Sequence, residues 1–272
     1  MMIKKTVKKF LEYIIIIFSK TNIGIYSYSK ITEIVMNNTR VIRYKDHALI
    51  FSVPNWLNKY RVDTFASKEP ETLDWIESIK EKSIIWDVGA NIGLYSIYAA
   101  KAMDCKVFAF EPSVFNLELL ARNIFYNNLQ KKIIIVPVAL NDEKGLSLFK
   151  MTSTTWGGAL STFGENYDQN GEPLNGVFEY STVGVSMSDA VSILDIPQPH
   201  YIKIDVDGIE HLILSGGHDV LCKVDSVMIE INDEFDSQLE ESTKYLENAG
   251  LTLYKKCDLG VANQFNQWWI RE

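Results

Sequence analysis

The chain has 272 residues, 47% of them hydrophobic and 23% charged, enough for one large domain with attachments. Its formal net charge of −8 and pI near 5.2 disfavour attraction to nucleic-acid phosphates and argue against a nucleic-acid partner. Cys105, Cys222 and Cys257 are odd in number and widely spaced, with no CxxC or Cys/His pairing, which excludes a disulfide framework or a zinc pattern and fits a reducing cytoplasm.

Lys4, Lys5, Lys8 and Lys9 precede an apolar run from Phe10 to Phe18. The run is shorter than the roughly 20 residues that span a bilayer. Glu12 interrupts it and no small-residue cleavage site follows, so it reads as a surface helix and not a signal peptide. Two accounts of residues 1–20 stand. One is a helix packed on the domain's own core, favoured because most apolar helices are buried. The other is a peripheral contact with the inner face of the membrane or a docking partner, with the lysines drawn to anionic headgroups. A hairpin around Val41 to Val53 completes an extension of residues 1–70. A helix around Pro70 to Lys80, after an acidic, proline-marked turn, leads into a domain of residues 71–272.

From Ile84 onward short β-branched runs alternate with helical patterns, the signature of βαβ units and a parallel sheet. Strands are expected at Ile84–Val88, Lys106–Glu111, Ile133–Leu140, Tyr201–Val206 and Ser226–Ile231, mostly apolar on both faces because helices cover both sides. Helices are expected at Ser113–Asn128 and Ser237–Ala249. The runs Leu251–Lys256 and Gln264–Arg271 would pair as a closing hairpin with an antiparallel strand. Between Met151 and Gly176 the pattern lapses into polar residues and five glycines, with Trp156, Phe163 and Tyr167 among them. A loop of this length is a binding loop or lid, or else disordered.

The first strand runs into Asp87-Val88-Gly89-Ala90-Asn91-Ile92-Gly93, a small-residue turn that opens a helix. Gly89 and Gly93 allow close backbone approach to a ligand, and Asn91 tolerates left-handed geometry. A dinucleotide fingerprint would read GxGxxG and seat a pyrophosphate on the helix amino terminus. Here the spacing differs and Asp87 would repel a pyrophosphate, whereas carboxylates suit the ammonium and sulfonium of S-adenosylmethionine. Glu111, 24 residues after Asp87 and at the end of the next strand, can accept both hydroxyls of a ribose.

In Tyr201 to Glu210, period two sets Lys203, Asp205 and Asp207 on one strand face, near the carboxyl end where open α/β sheets bind ligands. Asp207 and Glu210 have capping-box spacing for a helix over Ile209–Ser215. Asp205 reads as a site residue, with an ion pair to Lys203 as its competing role. Glu230 ends the neighbouring strand, and His211 follows Glu210 in a helix's first turn.

Three segments together resemble the FkbM family of methyltransferases: DVGANIGLYS at Asp87–Ser96, FEPSVFNLELLARNI at Phe110–Ile124 and YIKIDVDGIE at Tyr201–Glu210. The resemblance covers roughly residues 84–231 and gives nothing for the first seventy. It implies an α/β, Rossmann-like class I methyltransferase fold with a mostly parallel seven-stranded sheet, and S-adenosylmethionine as donor. It further implies O-methylation of a sugar, glycan or natural-product hydroxyl. The implied donor-site residues are Asp87, Gly89, Asn91, Gly93 and Glu111. Asp207 departs from the family, which more often carries glutamate there.

If a neutral hydroxyl is methylated, a positioned side chain must take its proton, and Asp205, Glu230 and His211 are the candidates in that order. A metal-assisted variant would draw oxygen ligands from Asp205, Asp207, Glu230 and Asn232. A non-catalytic donor-binding protein and, more weakly, a dehydrogenase are the readings from other classes.

Overall fold

The computed structural model describes residues 2–260 and 263–272, with side chains from residue 7 onward, so the side chains of Lys4 and Lys5 lie outside the described residues. Helices α1 (Met2–Ser19) and α2 (Asn22–Met36) precede the hairpin β1 (Thr39–Tyr44) and β2 (His47–Ser52), then short helices α3 (Trp56–Asp63), α4 (Phe65–Lys68) and α5 (Pro70–Ser78). The alternating part begins with β3 (Ile84–Val88), α6 (Leu94–Ala102), β4 (Lys106–Phe110), α7 (Val114–Tyr126) and β5 (Ile133–Val136). Next come β6 (Ala139–Leu140), β7 (Gly145–Met151), β8 (Ser161–Phe163), β9 (Phe178–Val185) and α8 (Met187–Ser192). The chain returns through β10 (Tyr201–Ile204), α9 (Glu210–Ser215), α10 (His218–Leu221), β11 (Ser226–Asn232), α11 (Asp236–Asn248), β12 (Thr252–Asp258) and β13 (Gln264–Ile270).

The main sheet has seven strands in the order β12-β13-β11-β10-β3-β4-β5. Strands β3, β4, β5, β10 and β11 pair in parallel, while β13 runs antiparallel between β11 and β12, as the sequence of the closing hairpin requires. This is the Rossmann-like class I methyltransferase arrangement. Period two divides each central strand between two cores. Trp86 and Val88 of β3 and Phe108 and Phe110 of β4 enter one, and Ile85, Val107 and Ala109 enter the other. The order reverses direction between β3 and β10, so a crevice opens beyond their carboxyl ends, where open α/β sheets bind ligands.

One expectation changes. The run Ile133–Leu140 is not one strand, because Pro137 lacks the N–H that a ladder needs; β5 ends at Val136 and β6 starts a second sheet. That second sheet, ordered β6-β9-β7-β8, takes in Met151 and Ser161–Phe163 of the segment from Met151 to Gly176, which otherwise runs as loop. Gly184 in β9 makes the sheet closable, since a Cβ there would lie 2.3 Å from the Phe163 ring.

The hairpin β1–β2 and the short helices after it share a core with the domain: Leu49 and Phe51 of β2, Val62 of α3 and Phe65 of α4 pack with Ile85, Tyr98 and Val107. Helices α1 and α2 behave otherwise. Phe10 and every residue from Ile14 to Phe18 stand exposed, so α1 is not packed on the domain's own core. No described helix is long and apolar enough to cross a membrane.

Asn123 of α7 and Asn127, its C-cap, satisfy the open edge of β2. Asn123 Oδ1 accepts from Ser52 N–H at 2.7 Å and its Nδ2 donates to the Ile92 carbonyl at 2.8 Å. Asn127 Oδ1 accepts from Ile50 N–H at 3.0 Å. Asn123 is fully buried and ties the hairpin to the glycine turn. Asn123→Ala should therefore cost about 1–3 kcal/mol in urea unfolding, because two buried backbone groups lose their partners. A loss below about 0.5 kcal/mol would mean that water replaces the side chain there.

Candidate active site

A cavity of about 380 Å³ occupies the crevice at the β3/β10 reversal, within the range of small-molecule sites. Gly89, Asn91 and Glu111 line it from the first half of the sheet, and Asp205, Asp207 and Glu230 from the second. The sequence candidates are thus brought together, with three exceptions.

Asp87 is buried behind the cavity wall. Ser96 Oγ donates to its Oδ2 at 2.5 Å, and Lys203, its register partner on β10, stands beside it. Burial raises its pKa while Lys203 and Ser96 oppose the rise. Gly93 does not reach the cavity either: it has φ 83° at the start of α6, where a Cβ would strike Leu120 at 2.5 Å, so its smallness serves helix packing. His211 turns away because successive helical residues are rotated by about 100°. Its ring packs edge-on against Phe235 with centroids 5.7 Å apart, and burial lowers its pKa.

Gly89 has φ 81°, and a Cβ there would lie 1.9 Å from the Asp205 carbonyl. The constraint that selects glycine thus comes first from the neighbouring strand's own backbone. Asn91 adopts φ 50°; its N–H donates to Glu111 Oε2 at 2.7 Å and its Oδ1 is buried without a partner. Ser113 N–H donates to the other Glu111 oxygen at 2.8 Å. Burial nonetheless pushes the Glu111 pKa up to about 7, with the backbone bonds pulling it down.

The charged row on β10 is resolved by one buried cation. Lys203 donates to Asp205 Oδ2 at 2.6 Å and lies over the Tyr95 ring at 5.0 Å. Burial alone would lower its pKa, but Asp205, Glu69 and Asp87 outweigh it and hold the ammonium charged. Burial would likewise raise Asp205, yet Lys203 and Lys68 keep it below the ordinary carboxylate range. Glu230 goes the other way: burial, then Asp205 and Glu69, raise it well above that range, and among the described residues no hydrogen bond holds its carboxyl. The pKa values of the two neighbours are therefore pushed apart, Asp205 downward and Glu230 upward, as those of acid/base pairs are in active sites.

Asp207 does not cap α9. It sits at φ 64°, faces the cavity and accepts from Leu160 N–H at 2.6 Å; burial and Asp205 raise its pKa to about 6. Glu210, the first residue of α9, does not complete a capping box either. It reaches back to Val206 N–H at 3.1 Å and Gly208 N–H at 3.0 Å, and Gln238 donates to it as well. The oxygen set considered for a metal does not converge. Asp207 is spent on Leu160, and Asn232 Nδ2 donates to Gln169 and Asn170; no group of three or more acidic, histidine or cysteine side chains among the described residues is placed to hold a metal ion.

Residues without a motif complete the cavity. Tyr60, Arg61, Lys68 and Glu69 come from α3, α4 and the turn after it, and Asn116 comes from α7. The segment Trp156–Gly158 is strapped across it. Trp156 carbonyl accepts from Asn55 at 3.0 Å and Asn58 at 2.8 Å, Gly157 carbonyl from Arg61 at 2.8 Å, and Gly158 carbonyl from Asn91 at 2.8 Å and Asn116 at 3.1 Å. No sequence pattern marks Arg61 or Lys68; only their nearness to the capped α3 after Asn55 hints at order there.

Because Lys203 compensates several buried carboxylates, Lys203→Met should destabilise the fold by about 3–5 kcal/mol in urea titration at neutral pH. A cost under about 1 kcal/mol would show that the carboxylates are balanced by protonation instead.

The family model described as "Methyltransferase FkbM domain" matches residues 87–253. The hexuronic acid methyltransferase AglP of Haloferax volcanii is 26% identical over 213 residues, 76% of this chain and 79% of that protein. The 31-O-demethyl-FK506 methyltransferase FkbM of Streptomyces tacrolimicus is 25% identical over 202 residues, 66% of this chain and 76% of that protein. Among solved structures, a Methanococcus jannaschii fibrillarin pre-rRNA processing protein superposes with a TM-score of 0.48 at 15% identity, covering 87% of this chain and 84% of that one. That last likeness is too loose to bear on function. With more than half of its length matched, from the end of β3 to the start of β12, the chain belongs to the FkbM methyltransferase family.

Proposed function

We propose that this protein transfers a methyl group from S-adenosylmethionine to a hydroxyl of a sugar acceptor, with Glu230 as the proton acceptor. The observation that carries the reading is Glu230 itself: a carboxyl of raised basicity, without a hydrogen-bond partner among the described residues, in the same cavity as the glycine turn and Glu111.

The residues present fit the donor. Glu111 at the end of β4 suits ribose hydroxyls, and the unpartnered Asn91 Oδ1 can accept a hydrogen bond from the bound molecule. Glu69 and Asp205 suit an ammonium, and Arg61 and Lys68, which line the same recess beside Gly89 and Asn91, suit a carboxylate. Bound there, S-adenosylmethionine would supply an electrophilic methyl group on a sulfonium.

The chain's own work is alignment, water exclusion and proton removal. The strap Trp156–Gly158 closes one side of the cavity. Asp205, fixed by Lys203, remains an anion and keeps the Glu230 pKa high, so that Glu230, once ionised, takes the acceptor hydroxyl proton efficiently. Asp205 ranks first from sequence alone, but its ion pair makes it the weaker base. For the acceptor, the support is the hexuronic acid named for the Haloferax volcanii relative, together with the amides Gln169 and Gln264, which line the cavity and suit sugar hydroxyls.

Release of S-adenosylhomocysteine with a uronic-acid glycan as acceptor tests the reaction, and Glu230→Gln tests the base. The substitution should lower kcat by about 100- to 10,000-fold. Activity requires the ionised carboxylate, so the wild-type rate should rise with pH through a limb above the ordinary carboxylate range. Asp205→Asn removes a charge that raises Glu230 and should move that limb to lower pH. A limb that stays in place in both variants would assign the proton to another group.

A further inference from the structure

Helices α1 and α2 present apolar surface on a scale that soluble monomers avoid. Phe10, Leu11, Tyr13 and each residue from Ile14 to Phe18 are 42–63% exposed, and Ile23, Ile25 and Tyr26 continue across the turn at 55–72%. This is a built tip, not a frayed end. Gly24 lies so close beneath the Phe18 carbonyl that a Cβ would be 1.7 Å from that oxygen. Thr21 Oγ1 accepts from Gly24 N–H at 3.0 Å, and the Tyr28 hydroxyl donates to the Ile15 carbonyl at 3.5 Å.

Charge separates this part from the rest. Residues 1–36 carry Lys4, Lys5, Lys8, Lys9, Lys20 and Lys30 against Glu12 and Glu33, a net +4 in a chain of net −8. Two copies meeting tip to tip would bring like charges together, whereas an anionic lipid surface complements both the lysines and the apolar residues. No described helix can cross a bilayer, so the fit is to the interface and not to the interior.

We propose that α1 and α2 form a docking element for an anionic membrane surface, with Tyr13–Phe18 and Ile23–Tyr26 entering the interface and the lysines engaging headgroups. The element is joined to the catalytic body beside the cavity. Asn38, just after α2, exchanges bonds with Val53 at 2.8 and 3.2 Å, and the chain from Val53 passes directly into α3, whose Tyr60 and Arg61 line the cavity. Docking through the turn between α1 and α2 therefore tethers the cavity to the lipid surface by way of α2, whose 15 residues span about 22 Å.

The test is sedimentation of the full-length chain with vesicles of phosphatidylcholine alone and of phosphatidylcholine mixed with phosphatidylglycerol. Binding should favour the anionic vesicles, weaken with salt, and fall by about fivefold for each of Lys8→Gln and Lys9→Gln. The pair Ile14→Glu and Ile17→Glu should abolish it with an unchanged melting temperature, since both residues are exposed. A chain that stays in the supernatant with anionic vesicles at low salt, or that binds neutral vesicles equally well, overturns the proposal. So does a dimer in sedimentation equilibrium that Ile17→Glu dissociates while vesicle binding is absent, which would assign the tip to a second copy.

Discussion

One buried cation organises the centre of this molecule. Lys203 sits in the middle of the sheet with almost no solvent contact, in register with Asp87 and hydrogen-bonded to Asp205. Charges are expensive to bury singly, and here a single ammonium offsets carboxylates contributed by β3, by β10 and by Glu69 before α5. From that arrangement follow the lowered pKa of Asp205 and the reluctance of Glu230 to ionise beside it. On the proposed reading, carboxylates gathered in this way face the positive groups of a sulfonium donor.

A second constraint is how the crevice is closed. The sheet supplies the floor, but the roof comes from two parts of the chain that lack any fingerprint: α3 and α4 from the amino-terminal side, and the strap Trp156–Gly158 from the insertion between β7 and β8. They are stitched together by backbone carbonyls of the strap accepting from Asn55, Asn58, Arg61, Asn91 and Asn116. All of these bonds join side chain to backbone across the cavity mouth. Opening the strap exchanges them for water, a modest net cost per bond, so the strap can move without disturbing the sheet beneath.

The sheet was legible because its strands are continuous apolar runs and its turns carry glycine, asparagine or proline at constrained positions. Asp87–Gly93 and Glu111 announce a ligand crevice by themselves. Which residue faces the crevice was less legible, because that depends on register. Asp87 and Asp205 end adjacent strands, yet only Asp205 lines the cavity, and Asp87 is used to hold Ser96 and balance Lys203. His211 failed for a similar reason, one helical step past Glu210. Arg61, Lys68 and Glu69 were invisible because their role arises only when the hairpin β1–β2 docks through Asn123 and Asn127, a contact between segments some seventy residues apart that no local pattern encodes. The second sheet escaped notice because glycine and serine dilute the alternation in β7 and β9.

The central claim is that buried carboxylates of raised pKa receive a cationic donor. Isothermal titration of S-adenosylmethionine at pH 6.5, in two buffers of different ionisation enthalpy, measures this directly through the protons exchanged on binding. Glu111 near 7 and Asp207 near 6 are partly protonated at that pH. A bound positive charge lowers both pKa values, so the account predicts net proton release and an affinity that rises with pH. Net proton uptake, or no binding of S-adenosylmethionine at all, would contradict it.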